Sequence, residues 1–372
     1  MMPYVTREYK IALFLPSLRG GGAERVMVNL ARRFVERGLK IDLVLSKAEG
    51  PYLSQIPPEV RVVDLGARRV LLSLPALVRY LRRERPAALL SALDHANIVA
   101  LWARKLSALR CRMVVSVHSI VSRAADNAPA ARGRLMPYFI RWFYPWADGV
   151  VAVSQGVAED LARTTGLPRE RIQVIYNPIV TPELLDKARE PLDHPWFAPG
   201  QPPVILSAGR LTAAKDFPTL IRAFATVRTG RLVRLMVLGE GEERSKLEAL
   251  VHELGLEDDV SLPGFVDNPY AYMARAAVFV LSSAWEGFGN VLVEAMAVGT
   301  PVVSTDCQSG PAEILEGGKW GRLVPVGNAE MLAHAIISTL NTSFDSNSLI
   351  NRAQMFELSS IAERYLEVLH GV

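Results

Sequence analysis

The sequence predicts an α/β protein of two domains, each a parallel sheet flanked by helices. Three observations carry this. The chain has 372 residues, more than one compact core usually organises. Short apolar runs alternate with longer amphipathic stretches along its whole length, the pattern of strand–helix–strand units with parallel strands. Midway, residues 178–203 hold Pro178, Pro182, Pro191, Pro195, Pro199, Pro202 and Pro203 in a stretch that reads as irregular and as the linker.

In the first half the strands are "IALFL" (11–15), "IDLVLS" (41–46), "RVVDL" (61–65), "ALLSAL" (88–93), "RMVVSV" (112–117) and "GVVAVS" (149–154). Between the first two, "GAERVMVNLARRFVERG" stacks Val26, Leu30 and Phe34 on one helical face and stops at Gly38. The second half repeats the theme with "PVILSAG" (203–209), "RLMVLG" (234–239), "VSLPG" (260–264), "AVFVLS" (277–282), "PVVSTD" (301–306) and "RLVPV" (322–326). The last segment, "SSIAERYLEVLHGV", reads as an amphipathic helix opened by a serine cap. The expected domains are residues 1–185, residues 186–355, and a terminal helix, 356–372, packing back on the first. Ligands of such folds bind at the carboxyl ends of the strands, so a cleft between the two sheets is the expected site.

Half the residues are apolar and 22% are charged, the balance of a folded soluble protein. Cys111 and Cys307 are far apart and read as reduced thiols, with no disulfide or zinc-site spacing. No apolar run approaches the ~18–20 residues that span a bilayer. "IALFLPSL" is followed at once by Gly20, Gly21 and Gly22, so it reads as a buried strand and not a leader. The net charge of +4 is uneven: residues 1–199 carry 29 Lys/Arg against 18 Asp/Glu, and residues 200–372 carry 13 against 20. The basic half suits a polyanion, an anionic lipid surface or a phosphorylated substrate, and reads equally as a solvated basic face.

Three segments of the second half could carry chemistry. "GRLTAAKD" (209–216) follows a strand and sets Arg210 and Lys215 on a glycine-opened loop, a planar fork and a point charge for phosphate oxygens. By itself it reads as two surface charges. "EGFGNVLVE" (286–294) holds two carboxylates that a continuous helix would separate by about 12 Å along its axis. Gly287 and Gly289 instead place Glu286 on a loop, with a helix starting near Asn290 and Glu294 on its first turn. Such a helix start presents amides to an anion or to hydroxyl oxygens. "STDCQSGPAEIL" (304–315) adds a further strand, glycine loop and helix start, with Asp306 and Ser309 as turn and cap residues.

Taken together, "GRL…K…D", then E-x7-E about 75 residues on, in a chain opening with a strand and "GGAERV", resemble the retaining GT-B glycosyltransferases of family 4. The resemblance runs from Ile11 to about Val372, and "AEGFGNVLVEAMAVGTPVVSTD" carries most of it, with Trp285 as this chain's variation. It implies two Rossmann-like domains facing a central cleft. It also implies a metal-independent, retaining transfer of a hexose or N-acetylhexosamine from a nucleotide sugar, with UDP the expected nucleotide and no cofactor.

Residue by residue, the resemblance implies that Arg210 and Lys215 bind the donor diphosphate and neutralise its charge as it leaves. Glu286, with amides of Gly287, Phe288 and Gly289, would hold the donor sugar. Asn290 and Val291 would offer amides near the phosphates, and Glu294 would hold the ribose. Gly21 and Gly22 would let the backbone approach the diphosphate, and His118 would sit near the reacting carbon. Glu24 and Arg25 belong to the same pattern without an evident role. Fixed cations and helix starts aimed at the leaving diphosphate are electrostatic preorganisation, each donor worth ~2.7–4 kcal/mol of barrier. In the retaining reaction a phosphate oxygen takes the acceptor proton, so no protein nucleophile is needed.

No Asp-x-Asp, His-rich or Cys-rich spacing offers a metal site, and "GGG" at 20–22 lacks the rest of a dinucleotide fingerprint. A glycoside hydrolase would hold its carboxyls ~5–5.5 or ~6.5–9.5 Å apart across the bond, a poor match to a loop and a helix start. A nucleotide-sugar 2-epimerase and a non-catalytic sugar-nucleotide binder share the architecture and remain the alternatives. No nucleic-acid motif accompanies the basic half.

"RRVLLSLPALVRYLRRERP" (68–86) and "RLMPYFIRWFYPWADG" (134–149) mix arginines with apolar and aromatic residues, which suits a membrane interface and equally a helix packed in the core. The expected acceptor is a saccharide on a polyprenyl diphosphate, in surface glycan assembly. The expected location is the cytoplasm, with peripheral attachment to the cytoplasmic face of the inner membrane as the membrane-bound version.

Overall fold

The computed structural model describes residues 9–128 and 131–371. The first unit holds seven strands: β1 (Lys10–Leu15), β2 (Lys40–Leu45), β3 (Arg61–Asp64), β4 (Ala88–Ala92), β5 (Arg112–Val117), β6 (Gly149–Ala152) and β7 (Ile172–Val174). They form one parallel sheet in the order β3-β2-β1-β4-β5-β6-β7. The second unit holds β8 (Val204–Ala208), β9 (Arg234–Leu238), β10 (Val260–Gly264), β11 (Val278–Leu281), β12 (Val302–Thr305) and β13 (Arg322–Val324). Their order is β10-β9-β8-β11-β12-β13, again all parallel.

The central strands are buried on both faces, which is why they read as unbroken apolar runs and not as alternating ones. Each of the twelve expected strands is present. The thirteenth, β7, is only "IQV" and follows Arg169–Arg171, too short and too flanked by charge to stand out.

The chain leaves the first unit between Ile179 and Val180 and re-enters it at Leu358. The proline-rich interval is more ordered than its composition implies. Thr181 caps a helix over Pro182–Arg189 through a 3.1 Å bond from the Leu184 N–H, and Pro182 stands at its first position. Asn268 donates to the Lys187 carbonyl at 2.8 Å, tying that helix into the second unit.

The terminal helix is Leu358–His370, so Ser359 and Ser360 lie inside it and the expected serine cap is corrected. Its apolar stripe, Leu358, Ile361, Tyr365 and Leu369, joins the core made by β1, β2, β4 and the helix Gly22–Glu36. Polar ties run the same way: Arg364 donates to the Val174 carbonyl at 2.7 Å, and Tyr9 donates to the Leu369 carbonyl at 2.9 Å.

Candidate active site

In the second unit the chain leaves β8 for β9 on one side and leaves β11 for β12 on the other. The carboxyl ends of β8 and β11 therefore flank the point where strand order reverses, where open α/β sheets form a crevice. The two loops that begin there are 209–216, one of the three segments the sequence singles out, and 282–289, which runs into a second, 286–294.

They lock together through both backbone and side chains. The Ala284 N–H donates to the Ala214 carbonyl at 2.8 Å, and Ser282 Oγ donates to the Lys215 carbonyl at 2.7 Å. The Lys215 ammonium then pairs with Glu286 Oε1, and Ser283 Oγ donates to that same oxygen at 2.6 Å. Both charged side chains are largely withdrawn from water, at 20% and 12% exposure. Asp216, the aspartate of the motif, caps the helix Phe217–Gly230, accepting from Thr219 Oγ1 at 2.7 Å. Arg210 differs: it is exposed and has no side-chain hydrogen bond or ion pair among the described residues.

The loop after β12 braces the second of these loops. Ser309 Oγ donates to the Gly287 carbonyl at 3.0 Å, and Trp285 bridges to Gln308. Gly310 has φ +86°, and a Cβ there would stand 1.9 Å from the Phe288 carbonyl oxygen, so only glycine fits. Phe288 is buried against the ring of Phe356, 5.4 Å between centroids. Gly289, at φ +96°, turns the chain into the helix Asn290–Ala297 as expected. Glu294 is the fifth residue of that helix and buried, so it sits on the second turn and not the first. Cys307 lies beside the ion pair; burial, helped by the Glu286 charge, pushes its thiol up to about 12, which makes it inert.

The first unit carries the other predicted residues. Glu24 accepts from the N–H groups of Gly20 at 2.7 Å and Gly21 at 2.9 Å, so its carboxylate occupies the anion position at the start of the helix Gly22–Glu36. That gives the glutamate of "GGAERV" a structural task. Arg25 donates to Tyr52 Oη at 2.8 Å and lies over its ring, which fixes the same turn.

His118 follows β5, with Nε2 2.9 Å from Ser116 Oγ. Its Nδ1 is sealed from water without a partner among the described residues, and burial pulls the imidazole down to about 4, so it is neutral near pH 7.

Sequence reasoning missed the neighbourhood of Asp94. This residue opens the helix Asp94–Ser107 and accepts from Tyr144 Oη at 3.0 Å and Ser119 Oγ at 3.4 Å. Burial raises its carboxyl to about 6. Leu93, just before it, has φ +75°, a strained conformation for a leucine. The only hint in the sequence is an aspartate directly after the run "ALLSAL".

Arg210, Lys215, Glu286, Gly287–Val291 and Glu294 thus belong to one unit, and Gly21, Gly22 and His118 to the other. Among the described residues no cluster of His, Cys, Asp or Glu has the makings of a metal site, and no helix is long and apolar enough to cross a membrane.

Comparison with known proteins decides the family. The model for glycosyltransferase family 4 matches residues 20–182, and that for glycosyl transferases group 1 matches residues 189–356. An N-acetylgalactosamine-N,N'-diacetylbacillosaminyl-diphospho-undecaprenol 4-alpha-N-acetylgalactosaminyltransferase of Campylobacter jejuni is 31% identical over 379 residues, covering 97% of this chain and 100% of the relative. The chain belongs to the family 4 glycosyltransferases.

The lipopolysaccharide core biosynthesis glycosyltransferase LpsE of Rhizobium meliloti is also 31% identical to the enzyme, over 94% of this chain and 96% of the relative. Solved structures give the fold as GT-B. HepE from Anabaena, in complex with UDP-glucose, superposes with a TM-score of 0.80 at 23% identity, over 98% of this chain and all of that one. Sucrose-phosphate synthase from Thermosynechococcus elongatus gives 0.81 at 21% identity, over 97% and 98%. The relatives are transferases, which disfavours the epimerase and the non-catalytic binder.

Proposed function

We propose that the enzyme transfers a hexose or N-acetylhexosamine from a UDP-sugar, with retention, to a saccharide on a polyprenyl diphosphate during surface glycan assembly. The observation that carries the donor half is the locking of the 209–216 and 282–289 loops at the switch point of the second sheet. One loop offers a guanidinium with no partner among the described residues, the other a carboxylate and a glycine-capped helix start. In this reading Arg210 and Lys215 take the diphosphate, and Glu286 with the Gly287–Gly289 backbone takes the sugar. Amides of Asn290 and Val291 face the phosphates, and Glu294 holds the ribose. Gly21, Gly22 and His118 belong to the first unit and keep in this reading the roles that the family resemblance implies. The acceptor half rests on the Campylobacter relative, whose name specifies an undecaprenol-linked substrate.

The chemistry follows from charge. Breaking the bond to the sugar loads negative charge on the β-phosphate, and two cations with helix amides stabilise it without reorganising. The same cations would do the work of a metal, so activity should survive a chelator.

A thermal-shift panel of nucleotide sugars on the wild type and on Arg210→Ala tests the reading. Binding stabilises the folded state by RT ln(1 + [L]/Kd) and so raises the melting temperature. A shift with UDP-sugars that Arg210→Ala abolishes supports it. No shift with any nucleotide sugar sinks it.

A further inference from the structure

We infer that Ser116 and Tyr365 are positioning residues for His118: a chain of hydroxyls, from Tyr365 Oη through Ser116 Oγ to His118 Nε2, orients the ring and places its proton on Nδ1. This rests on the reading that sets His118 beside the donor sugar, and names what prepares it. Ser116, next to last in β5, and His118, just past its end, have the spacing that puts side chains on one face of an extended chain. The terminal helix Leu358–His370 brings Tyr365 into the core that Ala92 of β4 and Val114 of β5 share. Ser116 Oγ stands 2.9 Å from His118 Nε2 and 3.3 Å from Tyr365 Oη. The strand is held by its backbone too: Asn97 Nδ2 donates to the Ser116 carbonyl at 3.0 Å and to Tyr144 Oη at 2.9 Å.

The count of protons fixes the direction of the chain. Ser116 is fully buried and Tyr365 is 1% exposed, so each hydroxyl needs a protein partner. Among the described residues Tyr365 Oη meets only Ser116, and Ser116 Oγ meets only Tyr365 and His118. If Tyr365 donates to Ser116 and Ser116 donates to Nε2, both hydroxyl protons have acceptors. The reverse order leaves the Tyr365 proton with none. Burial pushes the Tyr365 phenol up to about 12, so it keeps that proton. A neutral imidazole that accepts at Nε2 carries its proton at Nδ1, the atom with no partner among the described residues. An N–H there suits an oxygen that gains negative charge as the donor bond breaks, which a lone pair would repel.

Nitrogen-15 NMR of the free enzyme labelled at histidine tests this, with the His118 signal identified by its loss in His118→Gln. The wild type should show Nδ1 protonated and Nε2 bare. Ser116→Ala should move His118 toward the Nε2–H form and lower kcat about two- to tenfold, with little change in KM for the donor. Ser116→Thr, which keeps the hydroxyl, should keep the wild-type tautomer and most of kcat. Tyr365→Phe should lower kcat about two- to threefold in the wild-type background. In the Ser116→Ala or His118→Gln background it should lower kcat no further, because it acts only through those residues. Ser116→Ala with Tyr365→Phe removes both ends of one hydrogen bond, so it should melt no lower than Ser116→Ala alone and keep the altered tautomer.

A wild-type His118 protonated at Nε2, or a tautomer that Ser116→Ala leaves unchanged, overturns the inference. So does an equal loss of kcat from Tyr365→Phe in the His118→Gln background, because the two hydroxyls would then be core groups and nothing more. The tautomer is read with no nucleotide sugar present, so it can fail without the donor reading, and the nucleotide-sugar panel can fail without it.

Discussion

The ammonium of Lys215 is paired with the carboxylate of Glu286, two residues the chain separates by a β-strand–helix series and the fold returns to one switch point. Each holds the other in place while Ser283 shares the carboxylate. Lys215→Ala strips a largely buried carboxylate of its cation and should cost about 1–3 kcal/mol in denaturant unfolding. It should also lower kcat about 100- to 1,000-fold through the lost phosphate donor. Glu286→Ala should fall in the same range, and the double variant should lose far less than the product of the two. Additive losses in a double-mutant cycle would show that the pair does not act as a unit.

Arg210 makes the opposite pattern. Its side chain has no partner among the described residues, so Arg210→Ala should leave unfolding within about 0.5 kcal/mol of wild type. If it awaits the diphosphate, kcat should still fall about 100- to 1,000-fold. A variant that loses stability and activity together would assign Arg210 to the scaffold.

Gly310 is the brace of the sugar-side loop, at a backbone angle and a clearance that exclude a side chain. Gly310→Ala should cost at least about 1–3 kcal/mol from backbone strain, and the displaced Phe288 carbonyl should carry the 286–289 backbone with it. Activity should therefore fall by more than stability accounts for. Gly317→Ala is the control: it also has positive φ but open space around it, so it should bear strain alone and stay active.

The sheets were legible because parallel strands buried on both faces must be apolar along their whole length. What stayed hidden was what depends on contact across the fold. The sequence places Lys215 and Glu286 on two loops but does not say that they touch. It offers "GGAERV" without showing that Glu24 turns back on the Gly20 and Gly21 amides. Glu294 stands on the second turn and not the first because a helix that starts at Asn290, as expected, makes it the fifth residue, past the first 3.6-residue turn. Asp94 was invisible because its interest lies in burial beside Tyr144 and in the strained Leu93 before it, neither of which has a local signature.

Asp94 and His118 make the last prediction, because burial shifts them in opposite directions over the same pH range. His118 has its folded value depressed to about 4, against 6.5 when free. The unfolded chain therefore takes up a proton that the folded one refuses, and stability present above pH 6.5 is lost as pH falls towards 4. Asp94 has its folded value raised to about 6, against 3.8 when free. Here the folded state binds the extra proton, and stability present below pH 3.8 is lost as pH rises through 6. Each effect is worth about 3 kcal/mol at most, and the two nearly cancel between pH 4 and 6. Asp94→Asn should leave the histidine unopposed, so that stability climbs with pH across that window. His118→Gln should leave the aspartate unopposed, so that stability falls with pH. Unfolding free energies measured from pH 4 to 7 decide the matter: parallel pH profiles for the two variants would show that neither group is shifted as its burial demands.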